Sequence, residues 1–85
     1  MSNTVKPRVF ADFQNSDPLG RIRLSCVGTI EDLARQGIQL HDGLQLQLYD
    51  DGLEAEGVVR YSNDEGRWVA VIDWDAVVET NESGQ

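Results

Sequence analysis

Leu44, Leu46 and Leu48 alternate with Gln45, Gln47 and Tyr49, and this period of two predicts a half-buried β-strand. Asp51-Gly52 then offers a two-residue type I′ turn into a second strand, Leu53 to Ser62. A loop of that length pairs Asp50 with Leu53, Leu48 with Ala55, Leu46 with Gly57 and Leu44 with Val59, so leucines and small residues share one face. The turn Asn63-Asp64-Glu65-Gly66 leads into a third strand, Arg67 to Trp74. A four-residue loop there pairs Tyr61 with Trp68, Val59 with Ala70 and Gly57 with Ile72. The predicted core face of this meander is Leu44, Leu46, Leu48, Leu53, Ala55, Val59, Tyr61, Trp68, Ala70, Ile72 and Trp74. Gly57 in mid-strand costs about 0.5 to 1 kcal/mol relative to alanine, which marks a sharp bend or the close approach of another backbone.

Upstream, Arg8 to Phe13 is a strand candidate, followed by Gln14 to Gly20, which is dense in turn formers. Arg21 to Val27 alternates Ile22, Leu24 and Cys26 with Arg21, Arg23 and Ser25 and predicts another strand. A short helix is predicted over about 29 to 37. Thr29 is its N-cap, Glu31 and Asp32 favour its positive end, and Gly37 is the left-handed residue that stops it. Ile30, Leu33 and Ala34 share a face that must rest on the sheet or plug a barrel end, because two turns of helix do not stand alone in water. Five short strands with one helix between strands two and three predict a mostly β domain. The favoured architecture is a small, partly open SH3-like barrel, with an OB-like barrel or a β-sandwich as alternatives.

The chain has 85 residues, which suits one domain over 8 to 79 with tails at 1 to 7 and 80 to 85. No stretch approaches the roughly 18 to 20 apolar residues of a membrane span and no signal-peptide core is evident, so a cytoplasmic location without membrane partners is expected. Cys26 is the single cysteine. It excludes an intramolecular disulfide and fits a reducing compartment. Seven basic and fifteen acidic residues give a formal net charge of −8. Residues 42 to 85 hold eleven of the acids and only two of the bases. Such an excess serves solubility and opposes phosphate backbones.

Catalytic chemistry finds little footing. His41 lies in a turn beside Asp42-Gly43, and Cys26 shares the inward parity of Ile22 and Leu24, where a small core residue is the simpler reading than a nucleophile. The glycines are scattered singly, without a phosphate-binding loop. Asp50, Asp51, Glu54 and Glu56 lack the alternation of a calcium loop and read as solvated charge. Glu54, Glu56 and Asp73 share the outer face, and paired carboxylates serve glycoside chemistry, but the sequence places no cleft around them. The expectation is a non-enzymatic domain with no cofactor and no metal.

Two binding surfaces remain. Arg21, Arg23, Arg60 and Arg67 point outward by parity and form a candidate nucleic-acid stripe, against which stand the net charge and the simpler pairing of each arginine with a neighbouring carboxylate. Val58, Val69 and Val71 become neighbours on the outer face, with Tyr49 farther along it. An apolar patch on a face that should be wet is either covered by the helix or the first strand, or it is an interaction site for a protein partner or a second copy. The runs Gly20-Arg21-Ile22-Arg23-Leu24, Gly28-Thr29 and Trp68-Val69-Ala70-Val71-Ile72-Asp73-Trp74 resemble those of short uncharacterised bacterial proteins over residues 9 to 78. That resemblance implies a compact domain and carries no activity. A protein-interaction module is therefore expected, with nucleic-acid binding as the alternative.

Overall fold

The pairing inferred from the two hairpin loops is the pairing found in the computed structural model, which describes residues 6–80. Strand β3 (Gln45–Asp50) runs antiparallel to β4 (Leu53–Ser62), with Leu48 opposite Ala55 and Leu46 opposite Gly57. Strand β5 (Arg67–Ile72) pairs with β4 so that Val59 faces Ala70 and Tyr61 faces Trp68. At the first turn the positive φ falls on Gly52 alone, so the loop has the expected length without being type I′, which needs a positive φ at Asp51 as well. Loop length sets register, and it is unaffected by this difference.

Strand β1 (Arg8–Phe10) adds in parallel to β3, and β2 (Ile22–Arg23) adds antiparallel to β5, giving the order β1-β3-β4-β5-β2. Both are shorter than the sequence pattern predicts: β1 because Asp12 to Gly20 turns on itself through hydrogen bonds to the Asp12 and Asp17 carboxylates, and β2 because the chain leaves the sheet after Arg23 and enters a helix at Val27. A sixth strand, β6 (Val78–Glu79), pairs with the first two residues of β4. The fold is a small, mostly β domain with six strands in one open sheet and one α-helix. The sheet is not closed among the described residues: no ladder joins β1 to β2, and only an isolated bridge, Ser16 to Ile22, ties the first loop to the β2 edge. The tails expected at 1–7 and 80–85 lie largely outside the described residues.

Val9, Ala11, Phe13, Ile22, Leu24, Leu46, Leu48, Ala55, Val59 and Ala70 are buried together, with Leu44, Leu53, Trp68 and Ile72 packed partly against them. Tyr61 and Trp74, expected in this core, are instead exposed at its ends. Trp74 belongs to a 3-10 turn (Trp74–Ala76), where its indole N–H donates to the Gly20 carbonyl at 2.7 Å and its ring meets Phe13 edge-on. That turn separates β5 from β6. Between the pairs Gly57–Ile72 and Glu54–Val78, three steps along β4 correspond to six on the other side, so an insertion of three residues opens the ladder. Gly57 sits at this place for lack of room: a Cβ there would lie 2.9 Å from Leu48 Cδ1 and 3.2 Å from both Ala70 Cβ and Ile72 Cγ2.

Helix α1 (Val27–Gln36) begins two residues before the sequence reading places it. Cys26 is its N-cap residue and is half-buried rather than part of the core. Thr29 lies inside the first turn. Gly37 adopts the expected left-handed conformation, with Ile38 N–H donating to the Leu33 carbonyl and Gly37 N–H to that of Ala34, a Schellman closure.

Candidate functional site

Where the helix docks decides what the surface offers. Thr29, Asp32 and Gln36, spaced i, i+3 and i+7, lie on one side of α1 and satisfy the open edge of β1. Thr29 Oγ1 donates to the Phe10 carbonyl at 2.7 Å, the Asp32 carboxylate accepts from the Phe10 N–H at 2.9 Å, and Gln36 Nε2 donates to the Arg8 carbonyl at 2.7 Å. Asp32 also accepts from the Tyr49 hydroxyl at 3.2 Å and pairs with Arg35. Gly28 lets the helix come close, since a Cβ there would fall 2.8 Å from the Phe10 ring. An unpaired strand edge invites association, and here polar side chains of a helix occupy it.

This docking leaves the apolar side of α1 open. Of the predicted buried face, only Leu33 reaches the core. Ala34 is exposed and Ile30 is 53% exposed, and Val27 on the same side is more exposed still. Ile30 and Ala34 border an apolar groove of about 630 Å³, whose other walls are Leu24, Ile38, Leu40, Tyr61 and Trp68, with Arg67 at its rim. The Tyr61 and Trp68 rings pack edge-on, 5.1 Å between centroids. The sequence reading missed this groove by assigning Ile30 and Ala34 to the core. The signal that locates it is the polar triplet Thr29, Asp32 and Gln36, which is a docking face in its own right.

The outer-face valines do not share one environment. Val69 is 0% exposed, set in register between Arg23 on β2 and Arg60 on β4. Val58 is half-buried and Val71 is 42% exposed. Neither the helix nor β1 covers them. Tyr49 stands apart, with its ring edge-on to Phe10 at 5.7 Å, the Arg8 guanidinium 4.0 Å above it and its hydroxyl on Asp32. Val58 and Val71 instead line a second groove of about 610 Å³ at the opening between β5 and β6, together with Ile72, Val78 and the acids Glu54, Glu56 and Asp73. A cleft does surround these carboxylates, but each is engaged: Glu54 with Arg8 at 2.6 Å, Glu56 with Lys6 at 3.3 Å, and Asp73 with the Asp75 N–H at 3.0 Å.

Three of the four outward arginines are held by carboxylates. Arg21 binds the buried Asp17 at 2.7 Å. Burial alone would push the Asp17 carboxyl up, but the Arg21 N–H and guanidinium and the Leu19 N–H outweigh it and hold the group below its ordinary range. Arg23 grips Glu65 through two contacts of 2.8 Å, and this hydrogen-bonded pairing lowers the Glu65 carboxyl and raises the Arg23 guanidinium. Arg67 reaches Glu65 at 3.9 Å and Ser25 Oγ at 3.3 Å. Among the described residues only Arg60 lacks a carboxylate partner, and it donates to its neighbour's carbonyl, that of Val59. Cys26 Sγ lies 3.1 Å from Thr29 Oγ1, and the exposed His41 ring lies 3.2 Å from the Asp42 carbonyl, so neither is set beside a catalytic partner. No group of three or more metal-ligating side chains is assembled among the described residues, and no described helix is long and apolar enough to cross a membrane. No protein-family model matches the chain, and comparison with curated proteins and with solved structures returns no significant match.

Proposed function

We propose that this domain is a protein-interaction module that takes an apolar segment of a partner into the groove between α1 and the β4–β5 hairpin. The observation that carries this reading is the reversed docking of α1, which turns Thr29, Asp32 and Gln36 to the sheet and leaves Ile30 and Ala34 outside, beside Tyr61 and Trp68. Tyrosine, tryptophan and arginine are the residue types on which binding energy concentrates at protein interfaces, and Tyr61, Trp68 and Arg67 meet at this groove. We read the long β4, shared by β5 and β6, as part of a partly open SH3-like barrel. A reducing, cytoplasmic setting belongs to the same reading and rests on the lone Cys26 thiol. Nucleic-acid binding has less support, because Arg21, Arg23 and Arg67 would each have to leave a carboxylate.

Capture from an extract of the source cell tests the proposal when the parent chain is compared with Tyr61→Glu. Tyr61 is 44% exposed, so the variant should melt close to the parent while losing the captured proteins. A folded Tyr61→Glu protein that retains every one of them contradicts this site.

A further inference from the structure

The second groove lies away from the helix and makes a separate case. Its floor is aliphatic, with Val71 42% and Val78 54% exposed, and its rim carries Glu54, Glu56 and Asp73. Asp75 and Glu79 stand exposed just beyond it. No residue of β5 or β6 is in register with Ala55 or Glu56, so the insertion of the 3-10 turn leaves this stretch of β4 without a strand neighbour on that side. One occupant is already present in part: Lys6 lines the groove, and its ammonium sits on Glu56 at 3.3 Å. The chain's own cation thus marks where a cation is held. A second copy is the wrong guest, because a twofold contact through this groove would set acid rim against acid rim in a chain of net charge −8.

We propose that this groove, independently of the helix-side groove, docks a short partner segment in which lysine or arginine flanks a branched aliphatic residue. The aliphatic side chain covers Val71 and Val78, and the flanking cations meet Glu56 and Asp73. Lys6 competes with the incoming cation for Glu56, so the groove is partly self-blocked.

Titration of the isotopically labelled full chain with acetylated, amidated Lys-Val-Lys-Val-Lys, followed by NMR, tests this directly. The expected result is a set of shifts confined to Val58, Val71, Asp73 and Val78 that fades with added salt. Asp73→Asn, which keeps a capping side chain, and the exposed Glu56→Gln should each weaken binding about two- to fivefold, the range of a single exposed ion pair. Lys6→Gln should strengthen it by a similar factor. Equal binding of Glu-Val-Glu-Val-Glu, shifts centred on Ile30 and Trp68, or a Lys6→Gln variant that binds more weakly would each overturn the assignment.

Discussion

At the scale of single residues, the carboxylates explain how an acidic chain holds its loops. Asp17 accepts from the Leu19 and Arg21 backbone and from the Arg21 side chain, so one buried side chain closes the whole turn before β2. Glu65 ties the β4–β5 turn to Arg23 on β2. Both groups titrate below their ordinary range in the fold. A carboxyl depressed in this way stabilises the fold at every pH above its unfolded value, near 4, and the contribution is lost as pH falls through that value toward the folded one. Melting temperature should therefore hold steady from about pH 7 to 5 and fall below that. In Asp17→Asn the drop should be shallower, and a variant whose melting temperature falls as steeply as the parent's removes Asp17 from the account. The general expectation that outward arginines pair with neighbouring acids was legible by parity. The partners were not, because Asp17 and Glu65 lie in loops whose paths no periodicity describes.

Elements were legible in proportion to how local their cause is. Both hairpin registers follow from loop length and side-chain parity, and Leu48–Ala55 and Tyr61–Trp68 stand as the alternation requires. Gly57 marked a bend or the close approach of another backbone, and what crowds it is side chains, those of Leu48, Ala70 and Ile72. Gly57→Ala should destabilise by about 1 to 3 kcal/mol, although alanine suits a strand better, because its methyl group must displace Leu48, Ala70 and Ile72. Chemical denaturation measures this, and an unchanged midpoint would show that the core can make room. Strand β6 escaped notice because two residues, Val78 and Glu79, carry no periodicity, and their pairing depends on the 3-10 turn before them. The helix was found but turned the wrong way. Apolar spacing at Ile30, Leu33 and Ala34 marks an inward face only where the surface opposite is apolar, and α1 meets a strand edge of bare N–H and C=O groups.

For the whole molecule, this exchange is the central point. The open sheet has one edge, β1, occupied by a helix's polar side chains, and that use of α1 leaves apolar surface exposed in a small domain that has little to spare. Neither consequence can be read from a helical wheel, since both depend on which edge the helix reaches after the chain has crossed from β2. Paired thermal melts of Ile30→Asp and Asp32→Ala test the arrangement most directly. Asp32→Ala strips the Phe10 N–H and the Tyr49 hydroxyl of their acceptor and should cost about 1 to 3 kcal/mol, lowering the melting temperature by several degrees per kcal/mol. Ile30→Asp places a charge on the open side of the helix near its positive end and should stay within about 0.5 kcal/mol of the parent. The opposite ranking, with Ile30→Asp unfolding the domain and Asp32→Ala tolerated, would mean that α1 buries its apolar face and that the groove beside Tyr61 and Trp68 is not there to be filled.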